Sequence, residues 1–159
     1  MNVWINGRQV DQDQATLSVF DHGALYGDGV FEGIRAYGGK VFEFEAHLDR
    51  LFTSAKRIRL AIPYTKQDLR RATYETMAAN GIADGYIRMV VTRGAGTLGL
   101  CPFKCPSPNV FIIADQIALY PEEMYRDGMP VIVARTVRTS ARMLDPQIKS
   151  LNYLNNILA

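Results

Sequence analysis

The chain has 159 residues, 48% of them hydrophobic and 21% charged, and its 18 Lys and Arg against 16 Asp and Glu leave a formal net charge of +2. That balance excludes a disordered or fibrous chain, and the length gives room for one domain with a proper core, or one small domain and the start of another. The charges are interspersed, so no basic block points to nucleic acid or an anionic membrane, and apolar runs such as NVFIIA fall well short of a membrane span.

The N-terminus, MNVWINGRQV, lacks the charged-then-apolar layout of a secretory signal and reads as the start of a cytoplasmic protein. Val3-Trp4-Ile5 enters a tight turn at Asn6-Gly7, and Arg8-Gln9-Val10 returns as the second strand of a hairpin. The three glycines of DHGALYGDG, Asp21 to Gly29, predict an irregular stretch. VFEGIRAY, Gly38-Gly39 and KVFEF then form a second strand–turn–strand unit. From Glu45 the period changes: Leu48, Leu51, Phe52, Ala55 and Ile58 recur at threes and fours, as on an amphipathic helix that Pro63 ends.

Thr65 with Asp68 three positions on marks the start of a second helix, Leu69, Ala72 and Met77 give its apolar stripe, and Asn80-Gly81 its stop. YIRMVVTR and PNVFIIADQ are two further strands around a loop rich in Gly, Pro and Cys. Cys101 and Cys105 lack the further ligands a zinc site needs, so they read as two loop thiols and no metal is expected. Tyr120-Pro121 through Gly128 is a connector, Met129–Val137 a strand without companions, and the last residues a helix without a cap. The order predicts an α+β fold: a small N-terminal domain over 1–120 with an antiparallel sheet and two helices, a connector over 121–128, and an incomplete second domain over 129–159.

Lys149 stands at the mouth of that last apolar segment, in DPQIKSLNYLNNILA. Such a lysine has two readings. Its stem can lie along apolar surface with the amine in water, or the amine can be desolvated and able to form a Schiff base with a carbonyl. Composition does not separate them.

Four blocks do: YGDGVFEGIRAYGG, EAHLDRLFTSAKRI, YIRMVVTRGAGTLGL and IKSLNYLNNILA. In that order they resemble the fold-type IV enzymes that use pyridoxal 5'-phosphate, and most of all the branched-chain amino acid aminotransferases. The resemblance implies transamination between Leu, Ile or Val and 2-oxoglutarate, with Lys149 as the residue that carries the cofactor. It also implies that Arg50 binds the cofactor phosphate, through the paired donors of a planar guanidinium, and that Tyr153 sits beside the lysine at the cofactor. Strand alternation puts Phe31, Gly33, Arg35 and Tyr37 on one face, and Tyr86, Arg88, Val90 and Thr92 on one face of the later strand. By resemblance the substrate pocket draws on Tyr26, Phe31, Arg35, Tyr86 and Arg88, although core packing is the ordinary role of strand aromatics.

KSLN also occurs in D-amino acid aminotransferases, and aminodeoxychorismate lyase shares the scaffold and the lysine, so both are alternatives. A non-catalytic binding or dimerisation module is a third. The family has about as much chain again after the lysine, supplying an acid for the pyridine nitrogen and a helix terminus for the phosphate. The resemblance therefore implies that this chain alone is inactive and binds the cofactor poorly, and that the intact enzyme is a homodimer or larger.

Overall fold

A computed structural model describes residues 1–117 and 120–159. Ala118 and Leu119, which the sequence reading places at the end of the first unit, lie outside the described residues. The architecture is α+β. Strands β1 (Asn2–Ile5) and β2 (Arg8–Asp11) come first, then a short helix α1 (His22–Tyr26), and strands β3 (Gly29–Tyr37) and β4 (Lys40–Val41). Helices α2 (Phe44–Arg57) and α3 (Lys66–Ala79) follow, then β5 (Gly85–Thr92) and β6 (Asn109–Asp115). Two short helices, α4 (Glu122–Asp127) and α5 (Leu154–Leu158), complete the chain.

The six strands form one sheet in the order β2-β1-β6-β5-β3-β4, and every pairing is antiparallel. The two local hairpins turn where the sequence places them. Asn6 and Gly7 take positive φ values of 49° and 93°, and Gly38 and Gly39 values of 54° and 77°, as two-residue hairpin loops require.

The sheet has two unlike faces. Val30, Ile34 and Ala36 of β3, Ile87, Met89 and Val91 of β5, and Val110, Ile112 and Ala114 of β6 are buried in one core cluster with Leu48 and Leu51 of α2 and Leu69 of α3. Full burial of each large side chain in it contributes about 1.5–3 kcal/mol, so this layer is the main source of stability. The opposite face carries Phe31, Gly33 and Arg35, which stand across from Val90, Arg88 and Tyr86 in the β3–β5 register. The expected alternation holds along both strands.

Thr65 and Asp68 cap α3 reciprocally: the Thr65 hydroxyl accepts from the Asp68 amide at 3.1 Å, and the Asp68 carboxylate accepts from the Thr65 amide at 3.1 Å. At the other end of the helical layer Arg93 closes α2. Its guanidinium donates twice to Asp28, both at 2.9 Å, and to the carbonyls of Ile58 and Arg59 at 2.7 and 2.8 Å. That one buried fork ties the end of α2 to the residue just before β3.

Five expectations need correction. The stretch from Asp21 is not wholly irregular, because the Asp21 carboxylate accepts from the Gly23 amide at 2.7 Å and starts α1, while Gly27 in the left-handed region ends it. KVFEF is a strand only at Lys40–Val41, since Glu43 at φ 44° turns the chain so that Phe44 can be buried at the start of α2. The connector contains α4.

The fourth correction is Met129–Val137, which forms no strand. A strand exists by pairing, and Val131, Ile132 and Val133 find no partner among the described residues and stay 83%, 90% and 98% exposed. The last helix is also shorter than its apolar pattern suggests, five residues from Leu154, and Lys149 lies before it on extended chain. No helix among the described residues is long and apolar enough to cross a membrane.

Candidate active site

Lys149 belongs to the edge of the sheet. Beyond its hairpin with β4, the outer edge of β3 would be bare at its N-terminal end. Residues 149–151 cover it there: the Phe31 amide donates to the Lys149 carbonyl at 3.0 Å, and the Leu151 amide to the Gly29 carbonyl at 2.9 Å, around a bridge between Val30 and Ser150. From the other side the Lys149 amide donates to the Ser54 hydroxyl of α2 at 3.2 Å. The lysine backbone is thus held by strand and helix together, which fixes where its amine begins.

The amine ends on an aromatic surface. Lys149 Nζ lies 3.3 Å from the Tyr153 hydroxyl, 4.5 Å from the Phe31 ring centre and 5.6 Å from the Tyr153 ring centre. The two rings meet edge to face at 4.9 Å. Arg88 Cζ stands 3.5 Å from the Phe31 centre, so Phe31 carries one cation from β5 and one from the lysine segment.

Lys149 and Tyr153 line a cleft of about 350 Å³ with Arg50, Arg138 and Asp145. Asp145 pairs with Arg57 at the end of α2 and accepts from the Gln147 amide at 2.9 Å, which fixes the turn leading to the lysine. Arg50 is not free in solvent. Its Nε and Nη2 donate to the two carboxylate oxygens of Glu32, each at 2.6 Å, and His47 Nδ1 is 2.8 Å from Glu32 Oε2. An ionised carboxylate only accepts, so this arrangement selects a proton on His47 Nδ1. The hydrogen bond to Glu32 pushes the Arg50 pKa up, against the desolvation that lowers it.

Not every residue expected at the pocket is gathered around the amine. Arg50, Phe31, Arg88, Tyr153 and Lys149 come together. Tyr86 lies over Gly33, where an added Cβ would meet its hydroxyl at 2.1 Å, and it faces Arg35 across the strands. Arg35 donates from Nη1 to the Ile117 carbonyl at 3.3 Å, rests 5.4 Å from the Tyr37 ring, and has no partner for its buried Nε among the described residues. Tyr26 is engaged elsewhere: its hydroxyl accepts from the Gly99 amide at 3.1 Å and its ring meets His22 edge-on at 5.0 Å.

The sequence reading missed Glu32 and Ser54. Both carried a signal. Glu32 is a charged residue on the apolar side of an alternating strand, and Ser54 a polar one within the buried stripe of α2; each placement demands a specific partner.

A family model described as amino-transferase class IV matches residues 29–159. The chain belongs to this family. A protein of Methanocaldococcus jannaschii, provisionally named a branched-chain-amino-acid aminotransferase, is 49% identical over the whole chain. The D-alanine aminotransferase of Listeria monocytogenes is 38% identical, also over the whole chain. The chain spans about half the length of these relatives, 54% of each.

Among solved structures, the branched-chain aminotransferase of Thermoproteus uzoniensis, solved with norvaline, superposes with a TM-score of 0.84 at 35% identity, over 100% of this chain and 54% of that one. The 4-amino-4-deoxychorismate lyase of Pseudomonas aeruginosa superposes with 0.77 at 32% identity, over 99% of this chain and 55% of that one. Class IV aminotransferases are pyridoxal phosphate-dependent, and a branched-chain relative has been solved with pyridoxamine 5'-phosphate in place.

Proposed function

We propose that this chain is the lysine-bearing part of an aminotransferase that exchanges the amino group between branched-chain L-amino acids and 2-oxoglutarate, with pyridoxal 5'-phosphate held at Lys149. One observation carries the reading: the Lys149 amine is fixed over Phe31 and beside Tyr153 in the same cleft as Arg50. The donor set fits the cofactor, since it pairs an amine for an aldehyde with a guanidinium for a phosphate. When bound, the cofactor supplies the aldehyde carbon that exchanges the amino group and the ring that takes up the electrons of the α-carbon.

The chain's own residues do the rest. Lys149 would hold the cofactor through its aldehyde and, once displaced by the substrate amine, its freed Nζ would take up the proton from the substrate's α-carbon. Arg50 binds the phosphate. Tyr153 accepts a hydrogen bond from the amine through its hydroxyl oxygen and limits where Nζ swings. Phe31 and Tyr153 give a branched aliphatic side chain an apolar wall. Arg88, stacked on Phe31 from β5, pairs with the distal carboxylate when the dicarboxylic substrate enters.

The D-alanine aminotransferase at 38% identity makes D-amino acid transamination the competing reading. Two measurements test the proposal. Borohydride reduction with pyridoxal phosphate is expected to leave the label on the peptide containing Lys149, and Lys149→Ala to abolish it; a label on another peptide overturns the reading. In the full-length protein that contains this chain, L-leucine is expected to outpace D-alanine and aminodeoxychorismate as substrate, and the reverse order assigns it to another branch.

A further inference from the structure

We propose that Glu32 is the positioning residue for phosphate recognition in the Lys149 cleft, acting through Arg50. This rests on the reading that the cleft holds pyridoxal phosphate. Glu32 lies on the helix-facing side of β3 in a row with Val30, Ile34 and Ala36, and its residue is fully buried. A carboxylate there is costly unless every oxygen is paired. Three donors pair it: Arg50 Nε, Arg50 Nη2 and His47 Nδ1. Both arginine and histidine come from α2, one turn apart, so the pairing also sets how α2 lies against the strand.

The direction of the fork decides what Arg50 offers a ligand. Glu32 occupies the Nε–Nη2 edge, and Nη1 has no partner among the described residues. The Arg50 side chain is half exposed and lines the cleft, so the free edge is the one presented to it. Because the Glu32 carboxylate largely balances the guanidinium, Arg50 acts as a fixed pair of donors more than as a net positive charge. Removing Glu32 would release a long, flexible side chain from the carboxylate that fixes its geometry.

Two accounts then predict opposite signs. If charge alone governed the site, Glu32→Gln would strengthen phosphate binding by removing a negative group beside it. If Glu32 positions Arg50, the same change weakens it, since an amide cannot accept both guanidinium bonds. Partners that orient a ligand-binding side chain are worth roughly 10–100-fold in metal sites, and about the lower end of that range is expected here.

The test is the preference for pyridoxal phosphate over pyridoxal, which lacks the phosphate. The full-length protein that contains this chain, stripped of cofactor, is titrated with each compound and trapped with borohydride, and labelling at Lys149 is quantified by mass. The unsubstituted full-length protein is expected to prefer the phosphorylated compound, Arg50→Gln to lose that preference, and Glu32→Gln to lower it about tenfold with pyridoxal labelling unchanged. Glu32→Asp, which keeps the charge and shortens the reach, is expected to lose it too, and serves if the glutamine variant does not fold. A preference kept or raised in the folded Glu32 variants overturns the proposal while leaving Lys149 as the attachment point. No preference in the unsubstituted full-length protein, or labelling at another lysine, overturns the cofactor reading and this inference with it.

Discussion

A methyl group added at residue 29 has nowhere to go. A Cβ there would stand 2.5 Å from the Val91 carbonyl oxygen and 2.6 Å from the Leu151 methyl, one in the neighbouring strand and the other in the segment that carries Lys149. The backbone oxygen cannot swing aside without opening the β3–β5 ladder. Gly29→Ala is therefore expected to lower stability by about 1–3 kcal/mol, the usual cost of overpacking, and to displace Lys149. A shifted denaturant midpoint together with slower borohydride labelling at Lys149 is the result to look for; an unchanged midpoint refutes the close approach. Gly33 is a milder case, since its obstacle is the Tyr86 hydroxyl at the end of a side chain that can rotate away. At this scale the sequence was only partly legible. The alternation that placed Phe31 with Gly33 and Arg35, and Arg88 with Tyr86 and Val90, needs only the local period of each strand, whereas the partnership of Glu32 with Arg50 needs the angle at which α2 crosses β3.

The elements with local causes were the most readable. The α3 capping box is one, and it has a measurable signature. The Thr65 hydroxyl and amide hold the Asp68 carboxyl below the usual carboxylate range, with a smaller contribution from Arg71. A folded-state pKa lowered in this way adds stability above the unfolded value, near pH 4, and loses it as pH falls through the folded value. Thr65→Ala is expected to cost about 1 kcal/mol at neutral pH, and the gap from the parent protein to narrow as pH drops below about 4. A gap that stays constant across that range would show that the cap works without the carboxylate. What the sequence did not reveal were the pairings made at a distance. Val3 meets Ile113 and Phe31 meets Lys149, each joining segments more than a hundred residues apart, and nothing in either segment's own pattern names the other. Met129–Val137 failed for the complementary reason: its β-branched composition favours a strand, but composition cannot supply the neighbour that a strand needs.

The whole molecule divides unevenly between what is covered and what is not. Every buried apolar side chain among the described residues lies between Val3 and Ala114, in the sheet, its two long helices and the loop between those helices. Beyond them the chain contributes a cleft wall and the lysine, but no core. Val131, Ile132 and Val133 are consecutive, apolar and nearly fully solvent-facing, and Ile157 and Leu158 of α5 are 75% and 67% exposed. Surface of this kind in one stretch favours association. The chain, with a net charge of only +2, has little electrostatic repulsion to oppose it. Sedimentation at rising concentration is therefore expected to show the 159-residue chain associating, more strongly in sulfate, which reinforces apolar burial. Val131→Lys with Val133→Lys is expected to reduce the association without changing the thermal midpoint, because neither side chain packs against the core. A chain that stays monomeric throughout would mean that these residues are covered in solution. A lowered midpoint in the double variant would mean that they support the fold.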